Sequence, residues 1–135
     1  MIVTDIEIKS RLWKLTSESV LAKMITGAVY KDRRPTNSDK EDILISVIAR
    51  DAGSQIQQAM ANINIYVEDI RRGEDSVESP KLKELCEKSA EVFGYRNFGD
   101  WIMELDSQEV MEAQDIDWHI INNRVRLRFN NEITT

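Results

Sequence analysis

Asp115-x-Asp117-x-His119 is the one cluster in this chain with ligand-like spacing. On a strand, residues i, i+2 and i+4 share a face, so two carboxylates and an imidazole could converge on a cation. His119 is the only histidine, and every mechanism with a histidine base would run through it. No further ligand motif accompanies the cluster, and a metal centre needs an ordered surround for its ligands. The cluster is therefore read as an aspartate-rich turn leading into the last strand. The single cysteine, Cys86, excludes an intrachain disulfide and a cysteine-rich zinc site. It falls on the apolar side of a helix and reads as a small buried hydrophobe. The five glycines are scattered and build neither a phosphate loop nor a dinucleotide fingerprint. No serine or cysteine sits in a nucleophile elbow. The expectation is a protein that is not an enzyme, with no catalytic residue, no metal site and no cofactor. The alternative is a metal-dependent hydrolase or nuclease using Asp115, Asp117 and His119.

Binding chemistry is more visible. Arg124, Arg126 and Arg128 place three guanidiniums on one face of a strand. They suit a phosphate, an acidic partner subunit, or acidic residues of a neighbouring strand such as Glu112. The whole chain is acidic, with 18 Lys+Arg against 24 Asp+Glu and a net charge of -6. That balance excludes a generally basic nucleic-acid coat and disfavours an anionic membrane. Trp13, Trp101 and Trp118 are expected as core or interface anchors, since basic residues are not interleaved around them as single-strand binding requires. Asn62, Asn64 and Tyr66 form a polar strand face suited to contact with a neighbour, and Arg33 and Arg34 lie in a polar loop beside it.

The elements that must position these residues follow from periodicity. At 135 residues the chain is expected to form one domain. Apolar spacing predicts a helix over Ile6–Leu15, a kink, and a short helix over Ser19–Ile25, with Ser17 or Ser19 as cap and Gly27 ending the run. Ala28–Tyr30 reads as extended and Lys31–Glu41 as a solvated loop. Ile43–Ala49 reads as a strand apolar on both faces, hence covered on both sides. Asp51–Ser54 is a turn, and the next strand runs to Val67 with Ala61, Ile63, Ile65 and Val67 on one face. Glu68–Ser79 reads as a loop. Ser79-Pro80 starts a helix that Gly94 stops. Phe98–Leu105 and Val110–Gln114 are two short extended pieces. The closing strand puts Ile121, Asn123, Val125, Leu127 and Phe129 on one face. The expected core holds Leu12, Ile45, Val47, Ile63, Ile65, Leu85, Val125 and Leu127. The fold class is α+β: a mostly antiparallel sheet with a long hairpin, and an N-terminal and a central helix packed on it.

One succession is more specific. A helical region ends in Gly27-Ala28-Val29-Tyr30, and the polar loop Lys31-Asp32-Arg33-Arg34-Pro35-Thr36-Asn37-Ser38 follows. Then come Glu41-Asp42-Ile43-Leu44-Ile45, the strand Asn62–Val67 and a helix from Pro80. This order resembles the tail-completion, or tail-to-head joining, proteins of long-tailed bacteriophages and prophages. The closing Trp118–Phe129 strand resembles that of variants from gut bacteroidete phages and mobile elements. The resemblance spans about Leu12 to Phe129. It implies a structural virion protein, assembled in the bacterial host cytoplasm as a homo-oligomeric ring, commonly of six subunits, the further alternative being a mobile-element adaptor domain without a virion role. Its implied partners are tail-tube and connector proteins. It implies no membrane and no sequence-specific nucleic acid, although DNA passes through such a ring. Arg124, Arg126, Arg128, Asn62, Asn64, Tyr66, Arg33 and Arg34 are the expected subunit-interface residues.

Overall fold

The structure is a computed structural model that describes residues 3–52, 56–72, 75–113 and 117–130. Thr4 opens α1 (Asp5–Ser17) by accepting from the Glu7 amide at 3.2 Å, one residue ahead of the expected start. Ile8 and Leu12 give α1 its buried stripe. Ser19 turns the chain: its hydroxyl accepts from the Leu21 amide at 3.3 Å and leads into α2 (Leu21–Met24), shorter than the expected helix. Ser79 caps α3 (Pro80–Phe93), where Leu82, Leu85 and Phe93 face inward.

The strands are β1 (Val29–Lys31), β2 (Ile43–Ala52), β3 (Ile56–Glu68), β4 (Ile70–Arg72), β5 (Asp75–Val77), β6 (Tyr95–Asn97), β7 (Trp101–Glu112) and β8 (Trp118–Asn130). Six of them form one sheet in the order β1-β2-β3-β8-β7-β6. Every pairing in it is antiparallel except β1 with β2. The fold is α+β, as the periodicity predicts.

Three elements differ from expectation. The polar stretch after Glu68 contains a small separate hairpin, β4–β5, whose polar residues carry no strand periodicity. The two extended pieces around Trp101 and Val110 are one strand, β7. A register shift between Leu105 and Ser107 reverses its inside–outside alternation, and that reversal makes one strand read as two. β2 is covered on one side only. Ile48 lies on the outer face, which no helix covers, and is 47 % exposed, while Val47, beside a register shift between Val47 and Ala49, is half-buried rather than in the core.

One sheet face packs against α1 and α3. Ile45 pairs with Ile63, Ala61 with Val125, Ala59 with Leu127, and Gln57 with Phe129. Ile45, Ile63, Ile65, Val125 and Leu127 are fully buried there, beneath Leu12 of α1 and Leu85 of α3. Trp101 stacks between Phe98 and Phe129, with ring centroids 4.2 and 5.6 Å apart. Trp13 is not in the core: it is 41 % exposed and donates from Nε1 to the Val29 carbonyl at 3.0 Å.

The stretch expected to be solvated ends in two buried carboxylates. Asp42 is 1 % exposed. It accepts from Ser38 Oγ at 2.6 Å, Arg34 Nε at 3.1 Å and the Ala28 amide at 3.2 Å. Glu41 is 4 % exposed and accepts from Lys81 Nζ at 2.6 Å and the Glu68 amide at 3.2 Å. Gly27 lies against both residues, its amide donating to the Glu41 carbonyl at 2.7 Å. A Cβ at Gly27 would stand 1.9 Å from Asp42 Oδ1.

Two stability outcomes follow. Gly27→Ala should cost about 1–3 kcal/mol, because added volume at a packed contact forces its neighbours apart. Ile63→Ala should cost about 2–5 kcal/mol through lost burial and the cavity left behind. Urea unfolding followed by tryptophan fluorescence measures both, and a neutral Gly27→Ala would mean that Asp42 is free to move aside.

Candidate functional site

The sheet face opposite the helices carries the arginines. Along β8, Ile121, Val125 and Leu127 point to the core, so Arg124, Arg126 and Arg128 must point away from it, and all three are exposed. They are not equivalent. Arg126 reaches Asp106 at 2.7 Å and Glu104 at 3.4 Å, both on β7. These acids take the role expected of Glu112, which instead approaches His119 Nε2 at 3.9 Å. Glu104 is the register partner of Arg126, and Asp106 stands two residues further along the same outer face. Among the described residues, Arg124 and Arg128 make no ion pair and stand on either side of Arg126.

The asparagine face is tied internally. Asn122 Nδ2 donates to Asn64 Oδ1 at 2.6 Å and to Asn62 Oδ1 at 3.1 Å, bridging β8 and β3. Tyr66 lies beneath Arg34, whose guanidinium carbon is 3.8 Å from the ring centroid. Arg34 also donates to the Lys40 carbonyl at 3.0 Å, and its bond to Asp42 completes its anchoring. Arg33, next to it, is exposed. The eight expected interface residues therefore divide. Arg33, Arg124 and Arg128 present their heads to solvent, while Arg34, Arg126, Asn62, Asn64 and Tyr66 are engaged within the chain.

In the Asp115-x-Asp117-x-His119 cluster, Asp117 and His119 each meet a partner outside the cluster. Asp115 lies outside the described residues. Asp117 faces Arg71 at 3.4 Å. His119 Nδ1 lies 2.5 Å from Asp69 Oδ1, an acid in the short link between β3 and β4 that the spacing could not reveal. Both side chains are largely buried, at 13 % and 10 % exposure, beside an open polar cavity of about 460 Å³ that Glu78 and Glu112 also line. Among the described residues no group of three His, Cys, Asp or Glu side chains could hold a metal ion. The Asp69–His119 contact fastens the start of β8 to the end of β3.

Cys86 lies half-buried on α3 beside a groove of about 380 Å³ lined by Pro80, Leu82, Lys83 and Val110. Burial pushes its thiol up from the ordinary value, and the carboxylates of Glu78 and Glu87 push it the same way.

No protein-family model matches the sequence, and no curated protein matches it either. Among the described residues no helix is long and apolar enough to cross a membrane.

The raised thiol gives a pH outcome. Its thiolate fraction at mildly alkaline pH should be smaller than that of a free cysteine, so alkylation should be slow and accelerate at higher pH. Glu87→Gln removes one of the charges that raise the pKa and should move the rate profile to lower pH. Iodoacetamide kinetics across pH measures this, and an unshifted Glu87→Gln profile would leave burial and the Glu78 carboxylate as the causes.

Proposed function

We infer that the chain is a structural subunit of a ring joining a phage or prophage tail tube to the head connector. The observation that supports this reading best is the one-sided sheet. A six-stranded sheet with both long helices on one face leaves its other face open. That open face carries Arg124 and Arg128 without ion pairs in a chain whose net charge is -6. An acidic neighbouring protein is the partner such a face selects, because opposite charge steers encounter and fixes register. The same acidic balance repels the phosphates of DNA threaded through a ring. The tail-to-head resemblance of the Gly27–Tyr30 end, the polar loop and the long hairpin agrees with an assembly role in a virion formed in the host cytoplasm.

The test separates the arginines by their partners. Arg124→Glu with Arg128→Glu should abolish binding to the tail-tube and connector proteins of the same phage or prophage, with the melting temperature unchanged. Arg126→Glu should instead lower stability by about 1 kcal/mol or less, since it breaks an exposed network and sets like charges together. Co-sedimentation paired with thermal melts reads both effects. Retained binding in the Arg124/Arg128 double variant would refute the face, and with it this reading.

A further inference from the structure

The sheet has two unpaired edges, and they lie diagonally across it. β1 pairs only with Ile43–Ile45 of β2, so no strand borders β2 from Ser46 to Asp51 among the described residues. β6 pairs only with Ile102–Glu104 of β7, so β7 is unbordered from Ser107 to Glu112. The registers place these stretches at opposite ends of the strands. Asp51 aligns through Gln58 and Arg128 with Ile102, and Ile43 aligns through Ile65 and Ile121 with Val110. β2 is therefore free where β6 borders β7, and β7 is free where β1 borders β2. The free stretch of β2 contains a register shift and that of β7 follows one, and each exposes apolar side chains: Ile48 at 47 %, Val110 at 46 % and Met111 at 42 %.

We propose that β2 of one copy pairs with β7 of the next copy along these two free stretches, which makes the sheet continuous between neighbouring subunits. This proposal rests on the ring reading and names its contact. Three observations make a second copy the occupant. Strand direction is correct, because three successive antiparallel pairings set β7 antiparallel to β2, and a translated copy keeps that relation. Length is matched, at six residues on either side. The borders interlock: a stagger of about five residues, roughly 17 Å at the strand rise, seats β6 of one copy beyond the end of β2 and β1 of the other beyond the end of β7. An isologous pairing of β2 with β2 would leave the free stretch of β7 unused, and one of β7 with β7 would leave that of β2 unused. The contact is heterologous, so it closes into a ring or runs on as a filament. Glu109 and Glu112 on the free stretch of β7 guard it against indiscriminate strand addition, since charge on an edge disfavours unspecific pairing. The groove of Pro80, Leu82 and Cys86 beside Val110 receives side chains of the added strand.

Cross-linking tests this. In a Cys86→Ala background, Ile48→Cys and Met111→Cys are prepared separately and treated with a short bismaleimide at high protein concentration. The mixture should give a covalent dimer that neither variant gives alone, and a chain bearing both substitutions should give a ladder. Ile48→Lys or Val110→Lys, added to that chain, should abolish the ladder with the melting temperature unchanged. Dimer from one variant alone, no dimer in the mixture, or a ladder that survives either lysine would overturn the proposal. Electron microscopy of the same samples separates the two readings. Annuli without the mixed cross-link would leave the ring reading standing and remove this contact. The mixed cross-link with open filaments only would keep the contact and remove the ring.

Discussion

Two adjacent carboxylates, Glu41 and Asp42, hold the sheet to the rest of the chain. Removing an ion from water costs several kcal/mol unless charge and hydrogen bonds replace the lost hydration. Here the replacement comes from four separate segments. Asp42 gathers Ala28, Arg34 and Ser38, and Glu41 gathers Glu68 and Lys81. Main-chain bonds cross the same point: the Glu41 amide donates to Thr26 Oγ1, and the Tyr66 amide donates to the Asp42 carbonyl. The end of β3, the start of α3, the loop before β2 and the turn after α2 meet there. Close approach at that junction excludes any side chain at position 27. Arg34 passes the constraint outward, since its charge is fixed by Asp42 while its plane covers Tyr66.

The one-sided sheet has a different physical basis. Its inner face is apolar nearly without interruption, and its outer face mixes amides, arginines and a few half-exposed hydrophobics. An antiparallel sheet tolerates this because one face can stay wet. The outer polar groups are not left to water alone. Asn122 bridges β3 and β8, and Arg126 bridges β8 and β7, so the central strand is cross-tied on the side where no helix presses on it. The inner face carries its own exception. Gln108 donates to Asn123 Oδ1 at 2.8 Å and to the Cys86 carbonyl at 3.1 Å, while Asn123 Nδ2 has no partner there. That buried amide lowers stability but fixes the height of α3 over β8.

Regular alternation made much of this legible from residue types alone. In β8, Ile121 to Phe129 alternates without a break, and each of its inner residues is buried. β3 behaves likewise from Ala61 to Val67. Ser79-Pro80 marked the start of α3 because a cap and a fixed backbone angle are local properties. What was hidden depends on distant parts of the chain. The register shift in β7 broke the period, so β7 looked like two pieces, and Ile48 looked covered because an apolar residue type does not show that the outer face carries no helix. Glu41 sits in a polar run, and its burial comes from Lys81 on another element. Asp69 finds His119 only because β3 and β8 pair. The arginine row was visible as a row, but the difference between Arg126 and its two neighbours depends on Glu104 and Asp106 across the strand gap.

The order in which the strands are made has a consequence for the life of the chain. β8 is the last element of the described chain to leave the ribosome, yet it lies between β3 and β7 and joins the two halves of the sheet. Ile56 pairs with Asn130, so this seam closes only after β8 has been synthesised. Pairings of such long range are slow, because loop-closure entropy is lost before contacts reward it. Until β8 arrives, the β2–β3 hairpin presents Ile63 and Ile65 without their cover, and β7 presents Met103 alone. An interrupted product would hold two half-sheets with open apolar faces, the kind of species that aggregates. The core thus stays incomplete until β8, the last of the described strands to be made, is inserted between β3 and β7.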